Sequence, residues 1–139
     1  MIREVITDEE ILSKECEPAT AEDAPIAQDL VDTLLASDEA ACLAANQIGE
    51  TKAIVAFLNS ANKPVVLYNP KLIQTLKPFN AVEECLSHEG PTAVQRYKWI
   101  RVSYDELVDG KLVPRKKKYE DWTAELVQHM IDHCNGVLI

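Results

Sequence analysis

The sequence predicts a single α+β domain over residues 1–139, with one helix near each end and antiparallel strands between them. Three observations lead there. Apolar residues recur at helical spacing only in two segments, one near each terminus. The middle of the chain is a series of short aliphatic runs punctuated by Pro64, Pro70 and Pro78. Asp109-Gly110 stands between two of those runs, a dipeptide suited to a tight hairpin turn. A length of 139 residues with 47% hydrophobic composition supports one core, and no repeat, low-complexity stretch or linker divides it.

In chain order, Thr20 and Asp23 can cap a first helix whose apolar face is Ile26, Leu30, Val31, Leu34 and Leu35. Gly49 marks a turn. Ala53–Leu58 and Val65–Tyr68 are expected strands, and Lys71–Leu76 continues the sheet beyond Pro70. Trp99–Tyr104 and Leu112–Tyr119 form the hairpin around Asp109-Gly110. The period then changes: Asp121 can cap a final helix through Trp122, Leu126, Val127, Met130 and Ile131, with Gly136 as its stop. The last apolar run, Val137–Ile139, is expected to be a strand.

Charge and targeting signals narrow the function classes. The net charge of −9 argues against a nucleic-acid partner. The one basic run, Arg115–Lys118, fits a solvated strand or turn. No stretch approaches the roughly 18 apolar residues of a membrane helix. The charged start MIREVITDEE lacks the form of a secretory signal, so a cytoplasmic location and no membrane partner are expected. Cys16, Cys42, Cys85 and Cys134 are scattered, without a C-x-x-C pair, which suits reduced thiols rather than a disulfide frame.

One helix segment carries chemistry. In Gln128–His133, His129 and His133 stand at i and i+4, on one helical face about 6 Å apart, a spacing that suits two imidazoles on one metal ion. By itself that spacing is also ordinary for a helix. Cys85, among acidic neighbours in EECLS, is the best third ligand among the cysteines; the other three fit small core positions. A thiolate with two imidazoles leaves a fourth position open for water.

Three segments together, in order, resemble the signature motifs of the peptide deformylases. Ala40-Ala41-Cys42-Leu43-Ala44-Ala45-Asn46-Gln47 is similar to Gly-x-Gly-aliphatic-Ala-Ala-x-Gln. Glu83-Glu84-Cys85-Leu86-Ser87 is similar to Glu-Gly-Cys-Leu-Ser. Gln128-His129-Met130-Ile131-Asp132-His133 is similar to Gln-His-Glu-x-x-His. The resemblance covers nearly the whole chain and implies a deformylase-like fold, antiparallel sheets around a C-terminal metal-binding helix plus an N-terminal helix. It implies that Cys85, His129 and His133 bind one divalent ion, natively Fe2+ in many members, with Zn2+, Ni2+ or Co2+ able to substitute. It implies an N-formylmethionyl peptide or nascent-chain N-terminus as substrate. Gln47 and the backbone N–H of Leu86 would stabilise the oxyanion formed at the formyl carbon. Glu83 and Arg96 would form a supporting ion pair, and Trp122, Glu125 and Leu126 would line the methionine pocket.

The departures are as informative. Met130 occupies the position of the glutamate that takes a proton from the attacking water and returns it to the leaving amine, which a thioether cannot do. Ala40 and Cys42 replace both glycines of the first motif, and Cys42 would narrow the peptide groove or tuck behind it. Glu84 replaces a glycine, and Glu125 brings a charge to an apolar pocket. Neither of these carboxylates is expected to stand in for the missing one, because a base must lie within hydrogen-bond reach of the water. Two functions therefore compete: an impaired metal-dependent deformylase, and an inactive protein that binds metal and peptide. A purely structural metal site would need a fourth ligand, for which Cys134 and His88 are the only candidates nearby in sequence, and Cys134, one residue after His133, faces another side of the helix. The chain ends after the third motif without the C-terminal helix of many members, so a ribosome contact through that helix is not expected.

Overall fold

A computed structural model describes all 139 residues. A short helix α1 (Glu9–Leu12) precedes α2 (Ala24–Ala36). Strands β1 (Cys42–Ala44), β2 (Ile54–Leu58), β3 (Pro64–Cys85), β4 (His88–Val108) and β5 (Lys111–Glu120) follow, and α3 (Asp121–Cys134) closes the fold. The five strands form one antiparallel sheet in the order β1-β2-β3-β4-β5.

The apolar run Ile54–Phe57 explains the layering. Alternate residues of a strand face opposite sides, and here both sides are covered. Val55 and Phe57 join Met130, Val127 and Ile131 of α3 in one core. Ile54 and Ala56 join Leu30 and Leu34 of α2 in the other. The sheet is thus sandwiched between the two helices that periodicity predicts, and α3 lies over the strands that carry the second motif.

Where separate short strands were expected after Pro64, β3 is continuous for 22 residues. Pro70 and Pro78 bend it rather than end it. Each follows a residue with positive φ, Asn69 at 52° and Lys77 at 62°, and the register slips between Tyr68 and Lys71. A bulge tolerates the missing N–H of a proline. The Asn69 side chain holds the first bend by accepting the Ala19 N–H at 2.7 Å and donating to the Ala19 carbonyl at 3.0 Å.

Two local expectations need correction. Val137–Ile139 is not a strand. Gly136, at φ 75°, donates to the His133 carbonyl and Val137 to the Asp132 carbonyl, so these N–H groups cap α3 and are not free for a ladder. Asp121 does not cap α3; Glu120 occupies that position without a side-chain bond. Because Glu120 still pairs with Trp99 of β4, strand β5 passes straight into the helix with no loop residue to serve as cap.

Candidate metal centre

The buried face of α3 presents His129 and His133, while β3 delivers Cys85 at the turn into β4, beside the register shift between Glu83 and Cys85. The three ligand atoms lie within 4.8 Å of one another. His133 Nε2 is 3.2 Å from His129 Nε2 and 3.4 Å from Cys85 Sγ. Tetrahedral bonds of about 2.0 Å to nitrogen and 2.3 Å to sulfur place donor atoms roughly 3.3–3.5 Å apart. The donor set therefore fits one thiophilic divalent ion.

The surrounding residues fix the ligands. Glu83 Oε1 lies 2.8 Å from His129 Nδ1, which leaves Nε2 facing the other ligands. Arg96 grips Glu83 with two bonds, Nε to Oε2 at 2.9 Å and Nη2 to Oε1 at 2.7 Å, and reaches Asp132 at 2.7 Å. Both members of the Glu83–Arg96 pair are buried, at 8% and 4% exposure, so the ion pair expected from the sequence is present. Asn46 donates to the His133 carbonyl at 2.8 Å. Gln128 locks α3 to β4 by accepting the Tyr97 N–H at 2.9 Å and donating to its carbonyl at 2.8 Å. His133 Nδ1 is buried and makes no such bond.

Electrostatics follow from this packing. Burial pushes the Cys85 thiol up, but hydrogen bonds from His129 and His133 outweigh it and bring it down to about 6. Burial lowers the His129 imidazole, but its bonds to Cys85 and Glu83 outweigh that and raise it to about 9. Burial likewise opposes ionisation of Glu83, yet His129 and Arg96 hold its carboxyl well below the usual carboxylate range. Glu125 is shifted the other way, first by burial and then by a hydrogen bond to Glu83. Cys42 is pushed up to about 12 by burial.

Two confluent cavities, of about 410 and 370 Å³, open beside the ligands and share Cys42, Glu84, Trp122, Leu126 and His129. Gln47 and Leu86 line the first and Glu125 the second. Gln47 Nε2 lies 3.2 Å from both Cys85 Sγ and Ser87 Oγ, and its side-chain oxygen accepts the Ala44 N–H at 2.9 Å. The fold thus gathers Gln47, Leu86, Cys42, Trp122, Glu125 and Leu126 around the three ligands. Met130 is the exception: it is fully buried in the core of α3 and lines neither cavity. Cys16 and Cys134 also lie outside them. Sequence reasoning overlooked Asn46, Ser87 and Asp132. All three sit inside the motifs, but only their partners across the fold give them a role.

Known proteins match this architecture. The family model described as polypeptide deformylase matches residues 2–139. The peptide deformylase of Clostridium beijerinckii is 35% identical over 140 residues, covering 100% of both chains. The crystal structure of the Thermotoga maritima peptide deformylase superposes with a TM-score of 0.86 at 26% identity, over 99% of this chain and 95% of that one. An Acinetobacter baumannii peptide deformylase crystallised with Met-Ala-Ser bound has the same fold, with a TM-score of 0.85 at 23% identity over 99% of this chain and 97% of that one. A full-length family match and a full-length relative agree with the Cys-His-His cluster: the chain belongs to the peptide deformylase family.

Proposed function

We propose that the chain binds one divalent ion through Cys85, His129 and His133, receives the N-terminus of an N-formylmethionyl peptide in the adjoining cavities, and hydrolyses the formyl group slowly at best. The family acts on formylmethionyl peptides, and the Acinetobacter relative holds a Met-Ala-Ser peptide. Fe2+ is the expected ion, with Zn2+, Ni2+ or Co2+ as substitutes. When bound, the ion supplies Lewis acidity to the water and to the formyl carbonyl.

The protein's own groups divide the remaining work. The Gln47 amide and the Leu86 N–H are assigned to the developing oxyanion. Cys42, Trp122, Glu125 and Leu126 are assigned to the methionine side chain and the peptide groove. Glu83, held by Arg96, orients His129. What is missing is a group that moves the proton from water to the departing amine. The observation that carries this reading is Met130, which follows His129 directly, has no titratable group and is sealed in the core. Loss of a general acid–base lowers rates by about 10²–10⁴-fold, or roughly 3–5 kcal/mol of barrier.

The same observation supports a second reading, a metal- and peptide-binding member of the family without turnover. The test is deformylation of a formyl-Met peptide by anaerobic, iron- or nickel-loaded protein, with Met130→Glu assayed in parallel. Slow or absent turnover that Met130→Glu restores is the expected result. Full turnover by the parent would defeat the proposal of impairment.

A further inference from the structure

The stretch of chain before α2 runs past the C-terminal end of α3. There the Cys16 N–H donates to the Cys134 carbonyl at 2.8 Å. The approach is close: a Cβ at Gly136 would lie 2.5 Å from the Ser13 carbonyl oxygen. That main-chain bond sets the two cysteines side by side where the segment crosses the end of the helix. Cys16 is half-buried and open to small solutes, whereas Cys134 is 6% exposed. Neither lines the cavities beside the metal ligands.

We propose that Cys16 and Cys134 are a redox-active pair, which a hydroperoxide converts into an intramolecular disulfide that ties the N-terminal segment to the end of the metal-bearing helix. A disulfide needs Cα atoms about 4.4–6.8 Å apart. The single 2.8 Å bond from the Cys16 N–H to the carbonyl of Cys134, the last residue of α3, leaves only the atoms N, O and C between the two Cα atoms and so brings them into that range. Side-chain rotation about this fixed main-chain contact is what the join requires. Cys42 and Cys85 both border one cavity, but Cys85 Sγ is engaged by His133 and Gln47.

The chemistry balances. The Cys16 thiolate attacks one peroxide oxygen and the O–O bond breaks, giving Cys16 sulfenic acid and, with the proton, one water. The Cys134 sulfur then attacks the sulfenic sulfur, the S–O bond breaks, and a second water leaves with the Cys134 proton. Two electrons pass from the thiol pair to the peroxide. The more accessible member meets the oxidant and the buried member resolves it. The resulting loop encloses nearly the whole chain, where a crosslink constrains the unfolded state most.

The test uses the full chain, metal-loaded, reduced, desalted and treated with stoichiometric hydrogen peroxide. Digestion with a glutamyl endopeptidase separates all four cysteines, since Glu17, Glu39, Glu84 and Glu125 fall between them. The expected result is a Cys16–Cys134 crosslinked peptide and a thermal midpoint raised by about 10 °C, both reversed by dithiothreitol. Cys16→Ser, at a half-exposed position outside the metal site, should abolish both and leave Cys85 alkylation unchanged. Oxidation of Cys16 to sulfinic acid without a crosslink, a disulfide between other cysteines, or an unchanged shift in Cys16→Ser would each overturn the proposal.

Discussion

Glu83 and His129 meet through a 2.8 Å contact between Oε1 and Nδ1, and the same carboxylate is clamped from its other side by Arg96. The contact selects the tautomer with the proton on Nδ1 and points Nε2 towards Cys85 and His133. Glu83→Gln keeps the shape but loses the charge on which both partners lean. It should weaken metal binding about 10–100-fold and destabilise the metal-free fold by about 3 kcal/mol or somewhat more, since Arg96 loses its buried partner. Asp132, 2.7 Å from Arg96, keeps the loss at the lower end. Chelator competition and urea unfolding measure the two effects. An unchanged affinity would show that Glu83 does not position the ligand.

The metal-free ligand set should release a proton when it is loaded. With the Cys85 thiol at about 6 and the His129 imidazole at about 9, the pair is thiolate and imidazolium between those limits. A metal needs the thiolate and the neutral imidazole. At pH 7.5 loading therefore displaces about one proton, from His129, and affinity rises up to about tenfold per pH unit until pH 9. Below pH 6 the thiol is protonated as well and the dependence steepens. Titration calorimetry in buffers of different ionisation enthalpy counts the protons. A count of zero at pH 7.5 would refute the imidazolium.

Acid should find the same cluster. The Glu83 carboxyl is depressed in the folded chain because His129 and Arg96 outweigh the effect of burial. A group depressed on folding contributes stability that is present above its unfolded value, about 4.3 for a glutamate, and that fades as pH falls through the folded value. The thermal midpoint of the metal-free protein should accordingly drop below about pH 4.5, with part of that slope absent in Glu83→Gln. Identical slopes in the two proteins would place the acid sensitivity elsewhere.

How far the sequence foretold this site depends on how each contact is built. His129 and His133 belong to one helical face, so a spacing of four already implies their proximity. Cys85 joins them across 44 positions through its chemistry and through the motif resemblance. Asn46 and Asp132 act through partners far along the chain, the His133 carbonyl and Arg96, and no local pattern announces such pairs. In the fold, periodicity located α2 and α3 because their buried faces repeat every turn. The continuity of β3 stayed hidden because Pro70 and Pro78 normally interrupt strands, and only bends at Asn69 and Lys77 accommodate them. Val137–Ile139 resembled a strand by composition, but its first N–H is taken by the end of α3.

Met130→Glu sets stability against chemistry at one position. The side chain it replaces has no exposed surface and packs with Val55, Phe57 and Val127. A carboxyl group placed there loses apolar contacts and must find a polar partner or remain protonated. The metal-free variant should lose about 2–4 kcal/mol in urea unfolding. Its neighbour on the helix is the ligand His129, so swinging the carboxyl towards the open side of the metal centre relieves that burial. Turnover of a formyl-Met peptide by the iron- or nickel-loaded variant should then exceed the parent by about 10²–10⁴-fold, carried by kcat rather than KM, because the added group acts in proton transfer. A destabilised variant with no gain in turnover would mean that Cys42 and Glu125, rather than the missing acid–base, are what limit the parent.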